Sequence, residues 1–186
     1  DALIAHSAVT INGLICEFRV RPTKIYQVNH GNFDYLLKLS MSDDNKYDFS
    51  PIILFFGNIR RNKGLDVAIK AMGKVTESIP SARLQIVGVP RTDMAEYETL
   101  VAELGLSSNV QFMLGYITEN KIPEIFKAAA VVVLPYRSID QSGVAVTACT
   151  FGKSLVVTDV GGIKELVEMA KNGIIVPVDD DIALAE

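Results

Sequence analysis

Two stretches of the sequence gather residue types that can hold an anion. The first, Phe56-Gly57-Asn58-Ile59-Arg60-Arg61-Asn62-Lys63-Gly64, sets three cations between two glycines. Glycine lets backbone approach a charged ligand closely, Arg presents a planar fork to phosphate oxygens, and Lys acts as a point charge. The second is Tyr136-Arg137-Ser138-Ile139-Asp140-Gln141-Ser142-Gly143-Val144. Asp140, Gln141 and Ser142 can exchange hydrogen bonds with sugar hydroxyls, and N–H groups of a helix start at Ser142 and Gly143 suit a phosphate. Taken alone, each stretch is equally compatible with a solvated loop or a plain helix cap. A third, Asp159-Val160-Gly161-Gly162-Ile163, is a tight turn followed by Glu165, where the helix dipole favours a carboxylate with or without a ligand. A fourth, Gly115-Tyr116-Ile117-Thr118, offers main-chain groups to a base, and His30-Gly31 is the better placed of the two histidines.

These loops need a scaffold, and the chain from Pro51 onward supplies one. Continuous apolar runs predict strands buried on both faces at Ile52 to Phe56, Leu84 to Val87, Val110 to Met113, Val131 to Leu134, Leu155 to Thr158 and Ile174 to Val176. Between them, helical spacing predicts helices at Leu65 to Val75, Met94 to Leu104, Ile122 to Ala129, Ser142 to Phe151 and Ile163 to Met169. Strict alternation with short connections implies an α/β fold, a Rossmann-like parallel sheet with helices on both faces. Ligands of such sheets bind beyond the carboxyl ends of the strands, which is where all four loops fall. Ahead of this domain (51–186), the polar stretch 33–50 reads as a linker. Residues 1–32 read as part of another layer, with strands at Leu3 to Ala5 and Lys24 to Val28 around a helix from Val9 to Phe18.

Composition narrows the function classes. A net charge of −4 over 186 residues and a pI near 5.3 argue against a nucleic-acid partner, so any cationic site must be local. Cys16 and Cys149 sit in apolar segments far apart and read as buried, reduced thiols, which points to the cytoplasm. No signal peptide is visible, and the longest apolar run, Ala128 to Leu134, is far short of the ~20 residues that span a bilayer. Peripheral association at the inner face of the membrane stays open. His, Cys, Asp and Glu show no metal-ligand spacing, and G-x-S-x-G, Walker A and G-x-G-x-x-G sequences are missing. The chain opens without Met and stops on Ile182-Ala183-Leu184-Ala185-Glu186, the first turn of a helix, so the expectation is a piece of a longer protein.

Read in order, the loops resemble the C-terminal, donor-binding domain of the GT-B fold glycosyltransferases known as family 4 or group 1. The likeness is carried by Phe56 to Gly64, by Leu84-Gln85-Ile86-Val87-Gly88, by Gln141-Ser142-Gly143-Val144 with Phe151-Gly152-Lys153, and by Thr158 to Glu165. It extends through Asn172-Gly173 to Val178, and the opening segment with Val28-Asn29-His30-Gly31 looks like the close of the family's N-terminal domain. The resemblance implies a nucleoside-diphosphate sugar as donor substrate, a glycan or lipid-linked acceptor held by that other domain, retention of configuration, and no metal or other cofactor.

Carried over position by position, Lys63 matches the family's phosphate-binding Lys. Asn58 stands where an Arg often follows the glycine, which leaves Arg60 or Arg61 to serve. The implied catalytic set is Arg60, Lys63 and Asp140, and the implied donor-binding set is Gly57, Asn58, Arg61, Gly88, Tyr116, Gln141, Ser142, Gly143, Val144, Thr147 and Glu165. The family's two glutamates, eight positions apart, fall near Ile139, beside Asp140, and on Thr147, so this chain is a variant type with Gln-Ser-Gly-Val in that loop. An epimerase or pyridoxal-dependent phosphorylase of the same fold, and a non-catalytic nucleotide-binding domain, remain alternatives.

Overall fold

The computed structural model describes residues 1–39 and 51–186. The latter part of the stretch read as a linker, 40–50, lies outside the described residues. The opening segment holds strand β1 (Leu3–Ala5), helix α1 (Ala8–Cys16), strand β2 (Ile25–Gln27) and the short helix α2 (Tyr35–Lys38). Strands β1 and β2 pair in parallel as a separate two-stranded sheet, as the sequence suggested. The early part of the expected linker is folded, because Leu36 of α2 is buried.

The main domain alternates β3 (Ile52–Phe56), α3 (Leu65–Ser78), β4 (Arg83–Gly88), α4 (Ala95–Glu103), β5 (Val110–Leu114), α5 (Ile122–Ala128), β6 (Val131–Leu134), α6 (Gly143–Thr150), β7 (Ser154–Thr158), α7 (Ile163–Ala170), β8 (Gly173–Val176) and α8 (Asp181–Ala185). Its six strands are parallel, in the order β5-β4-β3-β6-β7-β8. Side chains alternate between two cores. Phe55, Leu84, Ile86 and Val133 pack under α3, α4 and α8, while Leu54, Val87, Val132, Leu134, Leu155 and Val157 pack under α5, α6 and α7. That alternation explains the unbroken apolar runs, since both faces of every central strand are covered.

Two expectations change. Helix α3 runs one turn past Val75, to Ser78. Cys16 is exposed and Cys149 half-buried, both free, so only one of the two expected buried thiols has any cover. Cys16 ends α1, an apolar helix with no buried residue, and apolar composition there does not mean core.

Candidate functional site

The strand order reverses direction between β3 and β6, the point at which doubly wound sheets open a crevice. The loops that leave β3 and β6 there are the two cation-bearing and cap-bearing loops of the sequence. Gly64 lies in the left-handed region (φ 65°), and a Cβ on it would run into the Pro135 carbonyl oxygen, so the two loops meet backbone to backbone. They are laced further by Arg137 N–H donating to the Asn62 carbonyl (2.8 Å) and by Asn62 Nδ2 donating to the Ser138 carbonyl (2.8 Å). Arg137 also spreads its guanidinium over Asp66 (2.9 and 2.7 Å), Asp179 (2.6 Å) and the Arg61 carbonyl (2.9 Å). Burial works to raise the Asp66 carboxyl, but Arg137 holds it below the usual value.

Lys63 lies inside this junction. Its Nζ sits 3.6 Å above the ring centroid of Tyr136, and among the described residues it has no hydrogen-bond or ion-pair partner. Burial, with Arg60 beside it, lowers the ammonium to about 8. Tyr136 is 1% exposed, and burial pushes its phenol up to about 12, with the neighbouring Ser142 side chain acting against the rise. A half-buried cation resting only on an aromatic face is a donor waiting for an acceptor.

Ser142 begins α6. Its backbone is extended and its Oγ accepts from Ala145 N–H (3.2 Å), while Val146 N–H donates to the Ser142 carbonyl. The N–H groups of Gly143 and Val144 are first-turn donors without an intrahelical acceptor. Among the described residues a Cβ on Gly143 would come within 4 Å of the Phe33 ring alone, at 3.8 Å. Thr147, one turn on, is buried and returns its hydroxyl to the Gly143 carbonyl (2.8 Å).

The other expected residues divide. Arg60 is exposed, and its side chain has no hydrogen-bond or ion-pair partner among the described residues. Asp140, Asn62, Ser138, Gly161 and Val9 of α1 line one shallow hollow at this edge. Gln141 Nε2 approaches Gly162, whose N–H donates to the Asp140 carbonyl (2.9 Å). Three residues meet other protein groups and a fourth is exposed. Arg61 pairs with Glu96 of α4 (3.3 Å), and Asn58 Oδ1 accepts from Arg91 Nε (3.2 Å). Glu165 accepts from Ala8 N–H at the start of α1 (3.1 and 3.3 Å), and Tyr116 is 79% exposed beyond β5. Gly57 and Gly88 lie back to back: a Cβ on Gly88 would enter the Gly57 carbonyl, so both serve close strand-end packing. His30 joins a row of rings, 6.0 Å from His6 and 5.5 Å from Phe33, beside the α6 start.

Sequence reasoning gave no role to Tyr136, Arg137 or Asp66. The available signal was a Tyr and an Arg directly after a strand buried on both faces, where polar side chains must find partners. Lys153 of the Phe-Gly-Lys stretch proves to be a cap, donating to the Lys127 and Ala129 carbonyls (2.8 Å each) at the end of α5. A second groove, between α3 and α4, is lined by Arg61, Asp66, Glu96 and Arg137, whose charges are already paired.

Comparison with known proteins agrees with this fold. The family described as Glycosyl transferases group 1 matches residues 39–186. An uncharacterized glycosyltransferase of Methanocaldococcus jannaschii is 35% identical over 137 residues, covering 73% of this chain and 33% of that protein. Sucrose-phosphate synthase from Thermosynechococcus elongatus superimposes with a TM-score of 0.80 at 28% identity, over 100% of this chain and 47% of that one. Anabaena HepE in complex with UDP-glucose shares the fold, with a TM-score of 0.83 at 21% identity, over 99% of this chain and 52% of that one. The chain thus spans about a third of the length of the curated relative and half that of the solved structures.

Proposed function

Because the chain belongs to the group 1 glycosyl transferases, we propose that it is the donor-binding half of an enzyme that moves a sugar from a nucleoside-diphosphate sugar to a glycan or lipid-linked acceptor, with retention of configuration. The observation that carries this reading is the convergence, at the β3–β6 crevice, of the Lys63 ammonium, which has no hydrogen-bond or ion-pair partner among the described residues, and the first turn of α6. As the bond from the sugar to the diphosphate breaks, negative charge grows on the leaving phosphate. Lys63, Arg60 and the N–H groups of Gly143 and Val144 supply preorganised positive potential against it. That charge balance calls for no metal. The neighbour HepE, solved in complex with UDP-glucose, supports a uracil nucleotide as the first to try. The acceptor would come from the part of the protein beyond this chain, and the site belongs on the cytoplasmic side of any membrane the protein visits.

Calorimetry with UDP, GDP and ADP, each beside its bare nucleoside, tests the reading. A strong preference for one diphosphate over its nucleoside is expected, and equal binding of the two would refute it. A non-catalytic nucleotide-binding role has one observation in its favour: Thr147, where the family carries a glutamate, bonds back to its own helix. A whole protein that binds the nucleotide tightly but transfers no sugar would establish that role.

A further inference from the structure

Resting on the diphosphate site proposed above, we infer that Tyr136 is its positioning residue: the buried ring holds Lys63 in place to meet the phosphates. Three observations carry this. The Lys63 ammonium has only the ring face for a partner, 3.6 Å from its centroid, among the described residues. The ring is held by burial, since Tyr136 is 1% exposed, and its main chain is pinned where the carbonyl accepts from the buried Thr158 hydroxyl at the end of β7 (2.5 Å). The same side chain stands beside Ser142, the cap of α6. One buried residue therefore abuts both anion-binding arms, the lysine from the β3 loop and the helix start from the β6 loop.

A lysine carries four rotatable side-chain bonds, and a free ammonium at a loop would sample many positions. A ring beneath it removes most of that freedom before any ligand arrives. The ring takes one side of the ammonium and leaves its remaining N–H groups free to meet an acceptor. Binding then loses less entropy on ordering the cation. Tyr136 touches neither phosphate nor sugar, and its effect passes through Lys63.

The test is a double-mutant cycle on the 186-residue chain, read by calorimetry with UDP and with uridine, with thermal unfolding of every variant. Tyr136→Leu is expected to weaken UDP roughly three- to thirtyfold, the range of a cation–π contact, and to leave uridine unchanged. Tyr136→Phe, which keeps the ring, is expected to restore most of the loss. In a Lys63→Ala background, Tyr136→Leu is expected to have no further effect on UDP. If Tyr136→Leu does not fold, Tyr136→Met fills a similar volume without a ring face and takes its place. Equal losses with and without Lys63, or equal losses for UDP and uridine, would overturn the role of Tyr136 while leaving the site standing. A Lys63→Ala variant that binds UDP as the parent does removes the site itself, and this role with it.

Discussion

Arg137 and Asp66 meet as a two-pronged pair, Nη1 to Oδ1 at 2.9 Å and Nη2 to Oδ2 at 2.7 Å, with each side chain about a third exposed. The pair joins the loop after β6 to the first turn of α3, and it takes the only arginine of the second loop out of contention as a phosphate ligand. Arg137→Ala is expected to destabilise the chain by about 1.5–3 kcal/mol, the range for hydrogen bonds to charged groups, because Asp66 is left half-buried and unpaired. Urea unfolding measures it, and a change below about 0.5 kcal/mol would show the pair to be ornamental.

The same pair sets an acid limb. Asp66 is held below its ordinary value when folded, so its contribution is present above the unfolded carboxylate value of about 3.9 and is lost as pH falls through the folded one. Unfolding curves below about pH 4 are expected to flatten in Asp66→Asn relative to the parent.

Lys63 sets an alkaline limb on ligand binding. Burial and the neighbouring Arg60 lower the Lys63 ammonium to about 8, and a bound diphosphate raises it by offering a negative partner. The complex therefore holds a proton that the free protein has released above pH 8. UDP affinity is expected to fall above that point, by up to about tenfold per pH unit, with proton uptake visible as a buffer-dependent heat. Lys63→Arg keeps its charge throughout this range, and the limb is expected to vanish. A limb that persists in Lys63→Arg belongs to another group.

At the start of α6, Gly143→Val is expected to fold, since its Cβ meets only the Phe33 ring at ordinary contact distance. The branched side chain covers the open N–H groups, and UDP binding is expected to drop by more than about tenfold, the loss of one charge-assisted hydrogen bond. Ser142→Ala removes the cap on Ala145 N–H and costs about 1 kcal/mol of stability, with a milder effect on binding. Folded Gly143→Val protein that binds UDP normally would move the phosphate elsewhere.

Two glycines of the same backbone conformation separate strain from collision. Gly105 (φ 68°) has nothing near its Cβ position, so Gly105→Ala is expected to cost roughly 1 kcal/mol. Gly64→Ala adds an overlap with the Pro135 carbonyl to the same strain and is expected to cost more than about 3 kcal/mol. Thermal unfolding of the two variants side by side gives the difference.

The sheet was legible because each strand is a short apolar run closed by Gly or a turn, as in Ile52 to Gly57 and Leu84 to Gly88. The site was half legible. Lys63, Ser142 and Gly143 stood out because a cation and a cap after buried strands admit few other uses. The partners of Arg61 and Glu165 were not legible, because a loop sequence shows charge but not direction: one pairs with Glu96 and the other accepts from Ala8 N–H. Tyr136 was hidden for the opposite reason. An aromatic at a strand end reads as core, and only its place under Lys63 shows that its face is in use.

The junction of β3 with β6 pairs only Ile53 with Val131 and Leu54 with Val132, whereas β3 and β4 pair along five positions. The narrow seam also joins segments far apart in the chain, so its closure carries the largest loop entropy in the sheet. Each side of it, β3 to β5 and β6 to β8, is a run of sequence-adjacent units able to form early in folding. The crevice that holds Lys63 and the α6 start exists only once the two runs have docked. A ligand there acts as a late clasp: it leaves the rate of the early steps untouched and slows the parting of the two halves. Amide exchange along the seam, more than at the edge strands β5 and β8, is where its presence registers.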